Sequence, residues 1–180
     1  NLNWDEAIEE FSGKSLRSII EYIEVRIKVP VPADFETVFR QKTFALFKSD
    51  LTPIKGIHTV IQKLSVPFCV ASSGPREKIE LNLAKTQLIN YFPKAHIFSS
   101  FEIGSWKPDP KIYLYAVEKM GFSTKDCAVI EDSIYGVTAA INGGFDTYAY
   151  SKKHNRNTFK HMGATVFDDM DMLLDLLEKA

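Results

Sequence analysis

Two adjacent carboxylates, Glu131 and Asp132, follow a short apolar run that has the composition of a buried strand. Neighbouring negative charges repel each other, and burying either one costs free energy unless a cation or hydrogen-bond donors compensate. Proteins bind Mg²⁺ through one or two carboxylates while the ion keeps several waters. The pair is therefore a candidate Mg²⁺ site, and the alternative is a helix-capping Asp132 beside an exposed Glu131.

Two further stretches place polar groups at the ends of predicted strands. The apolar run 66–71 leads into Ser72–Gly74, where hydroxyls and backbone amides at a predicted helix start can bind phosphate oxygens. In "WKPDP" (106–110), which follows another strand, two prolines restrict the backbone around Lys107. Ligands of open parallel sheets bind outside the carboxyl ends of the strands, so these groups are expected to share one crevice. Together with the carboxylate pair they suit a phosphate group and a divalent cation.

The rest of the sequence predicts the elements that position these groups. Residues 1–52 have helical periodicity alone, with Asn3 and Ser15 as capping residues. The third helix of this region is expected to turn its apolar side chains inward: Phe35, Val38, Phe39 and Leu46. From residue 53 onward, strands alternate with helices, which predicts an α/β fold with a Rossmann-like, doubly wound parallel sheet. We therefore expect a small all-helical cap domain, 1–52, and a Rossmann-like core domain, 53–180.

Bulk properties exclude several classes of protein. A net charge of −1 over 180 residues gives no basic surface for nucleic acid, and no apolar stretch reaches membrane-spanning length. The basic stretch 151–161 is expected to be a solvated loop. The cysteines, Cys69 and Cys127, lie in apolar runs, which favours core positions in a reducing cytoplasm over a disulfide. The expected partner is a small molecule, and the expected state is a monomer or weak homo-oligomer.

Taken together, three motifs resemble those of a known family. The stretches "VASSGP" (70–75), "WKPDP" (106–110) and "VIEDSIYGV" (129–137) are similar, in order and separation, to motifs two, three and four of the haloacid dehalogenase superfamily. More narrowly, they resemble its phosphatase and β-phosphoglucomutase-like subfamily, which carries a helical cap inserted after the first strand and helix. On this resemblance residues 1–52 correspond to the cap, and the similarity covers essentially the whole chain.

The resemblance implies a Mg²⁺-dependent phosphatase that hydrolyses a small phosphorylated metabolite through a phosphoaspartyl intermediate. Ser72 would hydrogen-bond the transferring phosphoryl group, and Lys107 would bridge its oxygens and the nucleophile. Further phosphate donors would be two backbone amides, those of Ser73 and Gly74. Asp132 would be a Mg²⁺ ligand, and Glu131 would be a second ligand, either directly or through water.

The turn between the first two helices is expected to lie over the active site. Its sequence "SGKS" (12–15) lacks the upstream glycine and the preceding strand of a phosphate-binding P-loop. On the resemblance, Lys14 or Ser15 would contact the substrate. Phosphoglucomutase-like members tend to carry an arginine at the next position, where this chain has Leu16, and this argues against a sugar-phosphate mutase.

The family's nucleophile has no counterpart in this sequence. It is an aspartate in a D-x-D-G-T-like stretch after the first strand, and the similar "FDDMDM" (167–172) is expected to cap the last helix instead. We therefore expect a strand and a helix start, on the order of 20–30 residues, to lie outside this chain. Without them the chain is expected to be inactive and, with strand edges unpaired, unstable or sticky.

Other functions remain open on the sequence alone. A phosphomutase shares the first half-reaction, and a catalytically incomplete relative could retain phosphate or Mg²⁺ binding. A receiver-like signalling domain also has acidic strand ends, but the helical cap and "WKPDP" argue against it. The sequence does not identify the phosphorylated substrate.

Overall fold

The computed structural model describes residues 2–11 and 14–178, in which helices alone precede an alternation of helices and strands. The helices within these ranges are Trp4–Phe11 (α1), Leu16–Ile27 (α2), Phe35–Asp50 (α3), Ile57–Lys63 (α4), Arg76–Lys85 (α5), Ser100–Ile103 (α6), Lys111–Met120 (α7), Ile134–Asn142 (α8), Arg156–His161 (α9) and Met172–Leu177 (α10). The strands are Val70–Ser72 (β1), Ile97–Ser99 (β2), Ala128–Glu131 (β3), Asp146–Tyr150 (β4) and Thr165–Phe167 (β5). No helix in the described part of the chain is long and apolar enough to cross a membrane.

Every strand pairing is parallel, which confirms the predicted α/β class. β1 pairs with β2, with Ser72 opposite Ser99, and β3, β4 and β5 form a second sheet, with Glu131 opposite Ala149. Within residues 2–11 and 14–178, no backbone ladder joins β1 to β3, so the predicted single sheet consists of two parallel pieces. The polar strand ends of β1 and β3 both open into the cavity described below.

Two helices tie the sheet pieces together from opposite faces. On one face, Ile112 of α7 packs in a cluster with Phe98 of β2 and Val129 of β3. On the other, Ile61 of α4 packs with β2, while its neighbour Val60 packs with buried aromatic side chains of β4 and β5. Each fully buried apolar side chain contributes about 1.5–3 kcal/mol. The packing on both faces therefore holds β1 and β3 in a fixed relation although they are not paired.

Local capping explains where the first helices begin. Asn3 Oδ1 accepts from the Glu6 amide at 2.9 Å, and Ser15 Oγ accepts from the Ser18 amide at 3.1 Å, so both predicted caps are confirmed. Gly13, which lies between α1 and α2, falls outside the described residues.

Two expectations about burial and helix content are wrong. Helix α3 buries no side chain fully, and Val38, Phe39 and Leu46 are exposed, because α3 packs on α5 along one side only. The basic stretch 151–161, expected to be a loop, contains α9, because Phe159 is fully buried and anchors a helical turn on the core. Cys69 and Cys127 are free thiols that pack against the α7 cluster.

Candidate active site

A cavity of about 1000 Å³ lies between the N-terminal helices α2 and α3 and the carboxyl ends of β1 and β3. All eight residues that the sequence singles out line it: Lys14, Ser15, Ser72, Ser73, Gly74, Lys107, Glu131 and Asp132. They come from the start of α2, two strand ends and the segment before α7. Three sequence-distant motifs therefore meet in one space, as parallel strand ends predict.

Lys107 bridges the two sheet pieces. Its Nζ donates to the carbonyl oxygen of Ala71 in β1 at 3.2 Å and forms an ion pair with the Glu131 carboxylate at the end of β3. It also lies 4.7 Å from the centroid of the Tyr113 ring, a cation–π contact. The side chains of Lys107 and Glu131 are only 9% and 10% exposed. The ammonium is therefore fixed where the two strand ends face each other.

Both oxygens of Glu131 are engaged by donors. Oε1 accepts from Lys107 and, at 2.6 Å, from the Tyr113 hydroxyl, and Oε2 accepts from the Ser133 hydroxyl at 3.1 Å. Burial alone would raise the pKa of Glu131, but the Lys107 charge and the hydrogen bonds outweigh it and lower that pKa. Glu131 is thus ionised at neutral pH and holds Lys107 in place.

Asp132 has a different environment from its neighbour. Its carboxylate lines the cavity and forms no ion pair within the described residues, and the charge of Lys107 acts on its pKa only as a weaker, opposing influence. Desolvation by the cavity walls, followed by the charge of Glu131, raises its pKa. A bound cation would relieve both effects. The described ranges contain no group of three His, Cys, Asp or Glu side chains able to hold a metal.

The loop after β1 has donors suited to an anion. Ser72 Oγ accepts from the Gly74 amide at 3.1 Å, and the Gly74 carbonyl accepts from Ser99 Oγ at 2.7 Å, so the turn is held in one shape. The buried Ser73 hydroxyl has no hydrogen-bond partner in the described part of the chain. Buried polar atoms are rarely left unpaired, so this hydroxyl marks a place for a polar ligand. The sequence singled out the Ser73 amide and missed this side chain.

The turn before α2 lies on the cap side of the cavity. Lys14 forms an ion pair with Glu10, and Ser15 caps α2. Both also line a smaller pocket that includes Trp106 and Lys107. This turn is therefore next to the segment that carries the bridging lysine.

Two residues that position Glu131 were not identified from the sequence: Tyr113 donates a hydrogen bond to it, and Gly136 leaves room for it. Tyr113 donates to Glu131 from α7, and burial, followed by the charge of Glu131, raises the pKa of its hydroxyl. Gly136 lies in the first turn of α8, where a Cβ would be 2.6 Å from Glu131 Oε1 and closer still to Oε2. A glycine inside a helix usually has a packing reason, so the signal for Gly136 was present in the sequence.

Replacing Tyr113 with Phe removes one donor from an ionised, buried carboxylate. We expect a loss of about 1.5–3 kcal/mol in the free energy of unfolding, measured in urea at pH 7. The lowered pKa of Glu131 contributes stability above its ordinary value of about 4.3, and this is lost as the pH falls through the folded-state pKa. In Tyr113→Phe that pKa rises, so the loss on acidification begins at a higher pH.

The matched control is Tyr115→Phe on the same helix, because the Tyr115 hydroxyl has no hydrogen-bond partner among the described residues. Equal stabilities of the two variants at neutral pH, with the same acid limb, would show that the Tyr113 hydroxyl does not hold Glu131.

Comparison with known proteins places this geometry in context. A family profile described as "Haloacid dehalogenase-like hydrolase" matches residues 2–150. The chain is 28% identical over 176 residues to 6-phosphogluconate phosphatase of Escherichia coli (strain K12), covering 97% of this chain and 79% of that protein. It is 27% identical over 122 residues to a phosphorylated carbohydrates phosphatase of Thermotoga maritima, covering 66% of this chain and 55% of that protein.

Solved structures share the fold. A crystal structure of a conserved haloacid dehalogenase-like protein of unknown function from Agrobacterium tumefaciens matches with a TM-score of 0.86 and 24% identity, covering 99% of this chain and 83% of that one. A haloacid dehalogenase-family hydrolase from Deinococcus radiodurans, with bound phosphate and sodium, matches with a TM-score of 0.79 and 24% identity, covering 99% and 82% of the two chains.

Proposed function

We propose that this chain, which belongs to the haloacid dehalogenase-like hydrolase family, acts with Mg²⁺ on a small phosphorylated metabolite. Its match to curated phosphatases shows that it is a phosphoric monoester hydrolase. The observation that carries the proposal is the convergence of Ser72, Lys107 and Asp132 on one cavity. A hydroxyl, an ammonium and an unpaired carboxylate are the groups needed to hold a phosphoryl oxygen and a divalent cation.

The substrate is proposed to be a phosphorylated sugar or related small metabolite. Two relatives are named as phosphatases of 6-phosphogluconate and of phosphorylated carbohydrates. A cavity of about 1000 Å³ has room for such an ester. The proposed cap, residues 1–52, forms one wall through Lys14 and Ser15, and its closure over the ester would exclude bulk water.

We place the nucleophile between the edges of β1 and β3. Val70 and Ala71 of β1 and Glu131 of β3 face the cavity there, and Lys107 contacts both edges. A strand ending in an aspartate at this position would present its carboxylate to the phosphorus atom beside Lys107. That aspartate is proposed to lie on a segment outside this chain, and the chain alone is proposed to be inactive.

Four residues of the cavity have roles in the proposed reaction. The aspartate attacks phosphorus as the bond between phosphorus and the ester oxygen breaks, and the second aspartate of the same D-x-D stretch would protonate the leaving alcohol oxygen. Ser72 Oγ donates to a phosphoryl oxygen. Lys107 neutralises charge that develops on the phosphoryl oxygens, and Glu131 keeps its ammonium in position. The buried Ser73 hydroxyl is a further donor to the phosphate. Water then hydrolyses the phosphoaspartate and releases inorganic phosphate.

Asp132 is the residue proposed to hold Mg²⁺, with Glu131 reaching it through a water. The ion would supply positive charge to the phosphoryl oxygens. Asp132 lines the same cavity as Ser72 and Lys107, so the ion and the phosphate would lie side by side.

A phosphomutase is not favoured. Leu16 follows Ser15 and lines the cavity, at the position where phosphoglucomutase-like members tend to carry arginine. An apolar side chain there offers no donor for a second sugar phosphate. The proposed setting is a cytoplasmic monomer or weak homo-oligomer with no nucleic-acid or membrane partner.

The substitution Asp132→Asn tests the metal assignment. Because the pKa of Asp132 is raised in the folded state, its ionisation destabilises the fold as the pH rises through that pKa. Without Mg²⁺ at pH 7 we therefore expect a higher Tm for Asp132→Asn than for the wild type, measured by differential scanning fluorimetry. Added Mg²⁺ should raise the Tm of the wild type and leave that of the variant unchanged.

The control for this test is Asp146→Asn, a carboxylate exposed at the start of β4 and outside the cavity. An Mg²⁺ response of the same size in the wild type and in Asp132→Asn would remove Asp132 from the metal site.

The proposed activity is tested by a screen of phosphate release. Protein expressed from the whole gene is assayed against sugar phosphates, sugar-acid phosphates, nucleotides and glycolytic intermediates, with and without Mg²⁺. We expect inorganic phosphate from at least one small ester without a bisphosphate activator. Interconversion of phosphate positions without net release would identify a mutase, and no reaction with any ester would identify a non-catalytic binding protein.

A further inference from the structure

Among the residues that the structure describes, one cation on the cavity wall has no anionic partner. Five Lys and Arg side chains among the described residues line the cavity, and four form ion pairs: Lys14 with Glu10, Arg17 with Glu21, Arg40 with Glu36 and Lys107 with Glu131. The fifth, Lys78, is half-buried, and its ammonium forms neither an ion pair nor a hydrogen bond within the part of the chain that the structure describes.

The Lys78 ammonium lies on the cap side of the cavity. The stem of Lys78 passes Gly74, with Cδ 3.5 Å from the position a Cβ would take there. Its Nζ lies 5.1 Å from the centroid of the Phe47 ring on α3. Burial, followed by the positive charge of Arg40 on α3, lowers the pKa of Lys78. A half-buried cation without a counter-ion is a position that an anion would stabilise.

A neighbouring polar group also lacks a partner. Asn82 lies one helical turn after Lys78 on the same face of α5 and lines the same cavity. Its Oδ1 is buried and has no hydrogen-bond partner among the described residues. This oxygen can accept a hydrogen bond from a hydroxyl group of a ligand.

We propose that Lys78 and Asn82 form a second subsite, which binds an anionic group at the end of the substrate remote from the reacting phosphate. The inference rests on the proposed function, because it takes the reacting phosphate to lie at Lys107. The substrate class is then phosphate monoesters whose alcohol carries hydroxyls and a second anion, either a carboxylate or another phosphate. The phosphate ester of an uncharged sugar would leave Lys78 without a counter-charge.

Calorimetric titration of protein expressed from the whole gene, with EDTA present, tests this subsite by binding alone. The first ligand pair is 6-phosphogluconate and sorbitol 6-phosphate, which differ only at the terminus remote from the phosphate. This terminus is a carboxylate in the first compound and a hydroxymethyl group in the second. The second pair is fructose 1,6-bisphosphate and fructose 6-phosphate. We expect the member with the second anionic group to bind about 10- to 100-fold more tightly in at least one pair, and the pair that discriminates identifies that second group as carboxylate or phosphate.

Substitutions assign the discrimination to Lys78. Lys78→Met should abolish the affinity ratio and Lys78→Arg should retain it. The control is Lys119→Met, because Lys119 also lies over an aromatic ring, that of Tyr115, but outside the cavity. A ratio near one in the wild type for both pairs, absent binding, or an unchanged ratio in Lys78→Met would overturn the subsite.

Phosphate release with Mg²⁺, measured in parallel, separates the subsite from the proposed function. Hydrolysis without discrimination keeps the phosphatase and removes the subsite. Discrimination without hydrolysis of any ester keeps the subsite and removes the phosphatase.

Discussion

Gly136→Ala is expected to lower phosphate release by about 100-fold, since displacing a catalytic group by about 1 Å has an effect of this size. Alanine normally stabilises a helix interior relative to glycine by about 0.5–1 kcal/mol. Here its methyl group would overlap the Glu131 carboxylate. Overpacking of a filled site lowers the free energy of unfolding by about 1–3 kcal/mol. Gly136→Ala is therefore expected to destabilise the protein, although the same change in an open helix would stabilise it.

Stability and activity of Gly136→Ala are measured together, by urea unfolding and phosphate release. Asn142→Ala is the matched control, because it adds helix propensity at an exposed position of the same helix without entering the site. If Gly136→Ala were as stable and active as this control, Glu131 would not depend on the space that Gly136 leaves.

Lys107→Met is expected to abolish turnover and to destabilise the fold by about 3–5 kcal/mol, because it leaves the buried Glu131 carboxylate without its counter-ion. The double variant Lys107→Met/Glu131→Gln removes both charges. Replacing both members of a buried ion pair is often close to neutral for stability, so we expect the double variant to regain most of the lost free energy of unfolding and none of the lost activity.

This pair of variants separates the structural effect of Lys107 from its catalytic effect. The unfolding free energies come from urea titration, and the rates come from phosphate release with saturating Mg²⁺. Recovery of activity in the double variant would show that Lys107 acts only by neutralising Glu131. Lys111→Met is the control, since Lys111 pairs with Asp109 at the surface and outside the cavity.

The convergence of the three short motifs on one cavity could be predicted from the sequence. Ser72, Lys107 and Asp132 each follow or adjoin a strand end, and parallel strands bring such ends to one edge. The α/β class followed from the alternation of short apolar runs with helical segments. These features depend on local pattern and on a general rule of sheet topology.

The parts that were missed depend on packing between distant elements. No local pattern indicates that Tyr113 donates to Glu131 or that Gly136 leaves the space that the Glu131 carboxylate occupies. The basic stretch 151–161 contains a helix because the ring of Phe159 is buried in the core. That Lys78 has no ion-pair partner among the described residues could not be predicted either, because the sequence does not show which cations of the cavity wall form ion pairs.

The central claim is that Ser72, Lys107 and Asp132 act on one phosphoryl group together with one cation. It is tested most directly by titrating Mg²⁺ into protein expressed from the whole gene, with the best ester of the screen, and then adding EDTA. We predict phosphate release that saturates with Mg²⁺, stops with EDTA, and is absent in both Lys107→Met and Asp132→Asn. Release that continues at the same rate in EDTA, or wild-type rates from either variant, would contradict the account.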